Sequence, residues 1–307
     1  MKLKPRILVH GGAGSWEGRL PRGLAGCRTA ATVACPVLTT GDALAAVIAA
    51  VRILENNPEF NAGTGAVLTR DGSVEVDAAV MRGRDLAVGA IAAVPMAANG
   101  IELAHAVLRD GEHALISGPS AWTFLRAHGY SPAKACALIT KRSKQRLDAE
   151  ATRRQQDQRG TPDPGTVGAV AVDANGNVAA ATSTGGTTYK RCGRIGDTPL
   201  FGCGTWADNE SAAASATGHG ESIIRIAMTR LACEAVATGA SAQAGADAAV
   251  KALDRVAGKA GIIVVDPQGI IGVAHNTQAM PVAWMSPGDA HAEACADANS
   301  SAYLKML

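Results

Sequence analysis

The sequence predicts an α/β domain layered as a sandwich rather than closed as a barrel. Three observations carry the prediction. Short apolar runs of strand character lie near both ends of the chain, segments of helical period lie between them, and two strand pairs are each joined by a short turn. With 307 residues and 47% hydrophobic content, a sizeable core is within reach. Aromatics are only 3%, so Ala, Val, Ile and Leu must fill it.

Taken in order, residues 6–10 (RILVH) read as a buried strand entering the glycine loop at 10–14 (HGGAG). From residue 40, the spacing of Leu44, Val47, Ile48, Val51 and Leu54 gives helical period, and Asn56, Asn57 and Pro58 close it. Residues 65–69 (GAVLT), 73–81 (SVEVDAAVM) and 87–94 (AVGAIAAV) read as strands. Helical stretches follow over 101–109, 121–127 and from 132 to about 141.

Residues 141–165 hold no large apolar residue except Leu147. Such a segment buries too little to offset its ordering entropy, so it reads as an exposed linker with a frayed helix in its first half. Beyond it, 166–172 (TVGAVAV) and 178–184 (VAAATST) flank DANGN, which predicts a hairpin. Two helices, near 221–238 and 241–257, precede a second hairpin in which GIIVV and IIGVA flank DPQG. No internal repeat is evident.

Charge narrows the function. Lys plus Arg number 29 and Asp plus Glu 27, and the linker alone carries the basic excess. A nucleic-acid or anionic-membrane surface is therefore not expected. The seven cysteines form an odd set without Cys-x-x-Cys or zinc spacing, which suits reduced thiols in the cytoplasm. The apolar run near Met1 is too short for a signal-peptide core, and no later run reaches membrane length, so a soluble intracellular protein is expected.

Common catalytic motifs are missing: there is no Gly-x-Ser-x-Gly elbow, Walker loop or Gly-x-Gly-x-x-Gly, and the seven histidines are scattered. Thr166 draws notice because it ends the polar run and begins a strand. By propensity alone it is simply the first residue of that strand. A second reading is chemical. A threonine hydroxyl needs a base, and its own α-amino group can serve once cleavage of Gly165–Thr166 frees it. That amine has a reference pKa of about 7.7 to 8.0, which leaves a neutral fraction near neutral pH.

Several separated motifs favour the second reading. The run 165–186 (GTVGAVAVDANGNVAAATSTGG), then GRIGDTP and TGHGE, with LVHGGAG, VRILENNPEFNAGTGAVLTRDG and VEVDAAVM before them, resembles the plant-type (type III) L-asparaginase and isoaspartyl aminopeptidase family of N-terminal nucleophile hydrolases. The resemblance covers most of the chain outside the linker. It implies a four-layer αββα sandwich over a single domain, 1–307. It also implies autocleavage between Gly165 and Thr166 into an α chain, 1–165, with 141–165 as its flexible tail, and a β chain, 166–307. Two such heterodimers would pair.

Carried over by motif, Thr166 is the nucleophile of both autocleavage and hydrolysis, and Thr184 hydrogen-bonds its hydroxyl. Arg194 and Asp197 grip the α-carboxylate and α-ammonium of the substrate, a task that suits a cationic fork and a carboxylate three positions apart. As a bare pattern the two are equally a surface ion pair. Thr217 and Gly218 form the oxyanion hole, Gly220 lies near the α-carboxylate, and Asn61 contacts the nucleophile region. The backbone carbonyls of Leu54, Glu55, Asn57, Phe60, Ala62 and Thr64 match a loop that holds Na+ or K+. No organic cofactor is implied.

The activity implied is hydrolysis of the side-chain amide of L-asparagine and of β-aspartyl dipeptides through a β-aspartyl ester on Thr166. Two alternatives stand beside it: a glycosylasparaginase-like amidase, and a catalytically dead paralogue that binds amino acids. Glycosylasparaginases usually carry Asp before the threonine, where this chain has Gly165. The sequence departs from the family pattern at Gly100, usually proline, and at Trp206, commonly tyrosine. Trp206 is expected near the leaving group.

Overall fold

The computed structural model describes residues 3–156 and 165–297. In chain order the elements are β1 (Arg6–His10), α1 (Leu20–Ala34), α2 (Ala43–Glu55), β2 (Glu75–Arg82), β3 (Ala87–Pro95), α3 (Gly100–Asp110), β4 (Leu115–Ser117), α4 (Ala121–Ala127), α5 (Ala135–Leu138) and α6 (Lys141–Gln155). Then follow β5 (Val167–Val172), β6 (Val178–Thr184), β7 (Thr205–Ala207), β8 (Ala213–Gly218), α7 (Gly220–Ile226), α8 (Met228–Ala237), α9 (Ala242–Ala252), β9 (Ala260–Val265), β10 (Ile271–His275), β11 (Val282–Met285) and β12 (Glu293–Cys295).

Among the described residues these strands form two sheets, in the orders β12-β11-β1-β5-β6-β2-β3-β4 and β10-β9-β8-β7. Only the β3–β4 pair is parallel. Side chains alternate across each strand, and here both faces of the inner strands are buried. Ile7, Val9, Ala169 and Ala171 pack under α1, α2 and α3. Leu8, Val170 and Val172 point the other way, onto Ile263, Val265 and Val273 of the second sheet. That sheet's far face, with Ile262 and Val264, packs on Ile223, Ala232 and Ala246 of α7–α9. Three apolar cores between four layers give the αββα sandwich.

Several segments depart from expectation. Residues 65–69 form no strand, since Val67 N donates to Asn61 Oδ1 at 2.8 Å and Ala66 N to Gly63 O, leaving Thr69 in a single bridge to Lys190. The helix expected from 132 to about 141 is confined to α5, and that expected near 221–238 breaks at Ala227, whose φ is 49°. In place of a frayed helix, α6 runs through Gln155. Its start is a capping box, in which Thr140 Oγ1 accepts from Ser143 N and Thr140 N donates to Ser143 Oγ. Arg142 fastens it further by donating to Glu59 O at 2.7 Å and Phe60 O at 3.2 Å. The linker's second half, 157–164, lies outside the described residues.

No described helix is long and apolar enough to cross a membrane. All seven cysteines are free thiols.

Candidate active site

Register and alternation bring the site together. In the β5–β6 hairpin Val167 pairs with Ser183, so Thr166 and Thr184 stand opposite each other one step further on. Both share the parity of Val170 and Ala180, which face the space between the sheets. Toward this end of the strands the inter-sheet layer changes from apolar to polar. His10, Thr182, Thr184, Ser215 and Thr217 are all buried there. Thr182 Oγ1 lies 2.8 Å from Ser215 Oγ, and His10 Nε2 is 2.9 Å from the same hydroxyl. Burial pushes the His10 imidazole down to about 3, with the Thr166 backbone acting weakly against it, so the ring is neutral.

Thr166 Oγ1 donates to Thr184 Oγ1 at 3.3 Å. Thr184 Oγ1 also accepts from Gly186 N at 3.0 Å. The nucleophile candidate opens onto a narrow pocket of about 20 Å³, lined by Thr184, Gly186, Thr187, Arg194, Asp197, Gly218 and Gly220 as well as by Gly165 and Thr166. Gly165 is wedged over Asn61, whose side-chain amide a Cβ at 165 would strike. Asn61 is itself fixed, with Nδ2 donating to Gly186 O at 2.7 Å.

The opposite wall is charged. Arg194 directs Nε and Nη2 at Glu221 Oε1, 3.0 and 2.9 Å away. Asp197 is buried, and its Oδ2 has no hydrogen-bond partner. Burial pushes its carboxyl up to about 7, against the lowering effects of its own backbone amide and of Arg194. A buried acceptor without a donor, beside a guanidinium, is suited to receive a ligand's ammonium group. Gly220 makes the arrangement possible: a Cβ there would stand 2.8 Å from both Arg194 Nη2 and Asp197 Oδ1.

The loop carrying Arg194 and Asp197 is held from beneath by two acids of β2. Glu75 Oε2 accepts from Gly193 N at 2.9 Å, and Asp77 Oδ2 from Gly196 N at 3.1 Å. Asp77 Oδ1 takes Ala93 N at 2.7 Å, next to the irregularity that separates Val76 from Ala78 in the ladder. Lys190, also buried, donates to Glu75 O at 2.8 Å. Its pKa is lowered by burial, which the charges of Asp77 and Glu75 oppose.

Thr217 and Gly218 end β8 across from this wall. Gly218 lines the pocket, whereas Thr217 lies behind it and accepts from Ala13 N at 3.1 Å, tying the glycine loop to the site. Trp206 is not among the pocket's lining residues. It packs between the second and third cores with Arg230 stacked 4.5 Å from its ring centroid, so it forms no part of the wall around Thr166. Gly100 begins α3 close against Val76 and Ala78, where a Cβ would be 3.3 Å from either side chain.

The segment matching an alkali-cation loop curls tightly. Leu54 O accepts from Asn57 N, Glu55 O from Thr64 N, Asn57 O from Phe60 N, and Phe60 O from Arg142. Leu54 O also receives Asn56 N, whereas the carbonyls of Glu55, Asn57 and Phe60 each have a second lone pair, and hard backbone oxygens are the donor type an alkali ion takes. Among the described residues no cluster of His, Cys, Asp or Glu could hold a metal ion.

Sequence reasoning therefore named the residues on both walls but missed Gly186 and Thr187 in the lining, and the supports Glu75, Asp77 and Lys190 behind it. Two acids at alternate positions of an otherwise apolar strand were the available signal.

A family model described as asparaginase matches residues 3–293. The chain is 41% identical to the isoaspartyl peptidase/L-asparaginase of Bos taurus, covering 94% of this chain and 96% of the relative. It is 42% identical to the plant-type L-asparaginase of Pyrococcus abyssi (strain GE5 / Orsay), over 92% of this chain and 96% of that protein. The human isoaspartyl peptidase/L-asparaginase is 40% identical, with 94% and 96% covered.

Proposed function

We propose that this chain, which belongs to the asparaginase family and is a threonine-type hydrolase, cleaves the side-chain amide of L-asparagine and the isopeptide bond of β-aspartyl dipeptides. The observation that carries the reading is the pairing of Thr166 and Thr184 across a pocket from Arg194 and the unpartnered carboxylate oxygen of Asp197. One wall holds a nucleophile and the other suits an α-amino acid headgroup.

The chemistry begins within the chain. The Thr166 hydroxyl attacks the Gly165 carbonyl, the Thr166 nitrogen leaves, and water releases the resulting ester. The freed amine then serves as base for the same hydroxyl. In the mature enzyme Arg194 holds the substrate's α-carboxylate near Gly220, and Asp197 its ammonium. Thr166 Oγ1 adds to the β-carbonyl, and Gly218 at the pocket, with Thr217 behind it, supplies the donors that stabilise the oxyanion. The leaving amine takes a proton from the Thr166 amine, and water then hydrolyses the β-aspartyl ester. Asn61 and Thr184 hold the nucleophile's surroundings in place.

The assembly follows the family: an α chain, 1–165, and a β chain, 166–307, paired as a dimer of heterodimers in the cytoplasm, the seven free thiols being in keeping with a reducing compartment. The carbonyls of Leu54, Glu55, Asn57, Phe60, Ala62 and Thr64 would hold Na+ or K+, which would brace the loop bearing Asn61. Nucleic acid, membrane and organic cofactor have no part in this reading. Gly165 in place of Asp speaks against a glycosylasparaginase, and the full set of site residues against a dead paralogue. Aspartate release from asparagine and from β-aspartyl-alanine by wild-type protein, absent in Thr166→Ala, is the expected result. A wild-type protein inert toward both substrates would remove the reading.

A further inference from the structure

A second cavity adjoins the first. It measures about 410 Å³ and is bounded by the glycine loop at Ser15 and Glu17, by Gly218, and by Lys259, Thr277 and Gln278. Gly218 also lines the narrow pocket that holds Thr166, so the two spaces share an edge at one residue. That edge is rigid. His219 N donates to Lys259 O at 2.9 Å, Thr217 Oγ1 receives Ala13 N, and a Cβ on Gly218 would run into Lys259 O at 2.5 Å.

A β-aspartyl substrate gripped at Arg194 and Asp197 has its headgroup on one side of Thr166. The group beyond the scissile bond must then leave on another, and Gly218 is where the second cavity meets the nucleophile's pocket. For asparagine that group is ammonia, which needs no cavity. For a β-aspartyl dipeptide it is a whole amino-acid residue ending in a carboxylate. The volume lies in the range of small-ligand sites. Lys259 is the one basic residue of that lining, and Glu17 is the one acidic residue.

We infer that this cavity is the leaving-group subsite for the C-terminal residue of β-aspartyl dipeptides, with Lys259 holding its α-carboxylate and Glu17 disfavouring acidic side chains. The inference rests on the function proposed above and adds the determinant that separates its two substrate types.

The test compares three substrates on processed enzyme: L-asparagine, β-aspartyl-alanine and β-aspartyl-alanine amide. Lys259→Gln should raise KM for the free-acid dipeptide about fivefold to tenfold, less than for a buried charge-assisted contact because Lys259 is exposed, and leave asparagine and the dipeptide amide near their wild-type values. Ser15→Trp, which fills the cavity from the glycine-loop side and leaves the Lys259 charge in the chain, should depress both dipeptide forms and spare asparagine. Equal losses on all three substrates, or an unchanged KM for the free acid in Lys259→Gln, would overturn the subsite. So would a wild-type enzyme active on asparagine alone. A wild-type enzyme inert to all three substrates would instead defeat the proposed function itself.

Discussion

Thr166 and Thr184 face each other across the β5–β6 hairpin with their hydroxyl oxygens 3.3 Å apart, the first donating to the second. That separation is long for an O–H···O bond. On the proposed function Thr184 orients the proton of the Thr166 hydroxyl, and its Oγ1 also accepts from Gly186 N. Thr184→Val keeps the shape and removes the oxygen. Self-processing and asparagine hydrolysis should both slow, by about threefold to tenfold for one lost bond. Single-turnover cleavage rates, with kcat on the processed fraction, measure the two effects.

Arg194→Lys keeps the charge and loses the planar fork. It should self-process normally yet lose about one to two orders of magnitude in kcat/KM, corresponding to about 1.5 to 3 kcal/mol for a charge-assisted contact. Unchanged kcat/KM in the cleaved variant would remove Arg194 from the substrate site.

Asp197 sets a pH dependence whose sign follows from its raised carboxyl, pushed up to about 7 by burial. Below that pH the group is protonated and gives the substrate ammonium no counter-charge. Calorimetric affinity of the mature enzyme for L-aspartate should therefore weaken as pH falls from 8 to 6, while Asp197→Asn binds weakly and without that dependence. Stability runs the other way. The folded state holds this proton more tightly than the unfolded chain, so the group's contribution to stability declines between about pH 4 and 7 as pH rises. Asp197→Asn should flatten that part of the thermal-stability profile.

Asp77→Ala removes the acceptor shared by Ala93 N and Gly196 N and leaves Lys190 with one fewer neighbouring charge. Each orphaned buried amide costs about 1 to 3 kcal/mol. A lower Tm is expected, together with a KM for asparagine raised about tenfold and kcat changed less, because the loop proposed to grip the headgroup is loosened. A lower Tm with KM unchanged would make Asp77 a folding residue alone.

These residues also mark where the sequence could be read and where it could not. The Thr166–Thr184 pairing was legible because a hairpin is local: the DANGN turn sets the register, and the alternation of side chains does the rest. Helix α1 escaped notice because its buried face is Gly23, Gly26, Cys27, Ala30, Ala31 and Ala34, too small to give a hydropathic signal. Their smallness has a reason, since a Cβ at Gly23 would meet Trp16 and one at Gly26 would meet Phe60, each at 2.7 Å. Residues 65–69 carried a strand-like pattern, but Asn61's side chain takes the Val67 amide a ladder would have used. The clamp of Glu75 and Asp77 on Gly193 and Gly196 joins positions about 120 apart in the chain, and only the folded topology brings them together.

The central claim is that Thr166 acts as a chain terminus, and the most direct measurement is N-terminal sequencing with intact mass of purified wild-type protein beside Thr166→Ala. The account predicts two wild-type fragments, one ending at Gly165 and the other reading Thr-Val-Gly-Ala-Val and ending at Leu307, while Thr166→Ala stays a single inactive chain. An active wild-type enzyme that remains uncut, or a fragment that begins at any other residue, would contradict it and leave Thr166 as the residue that leads into β5.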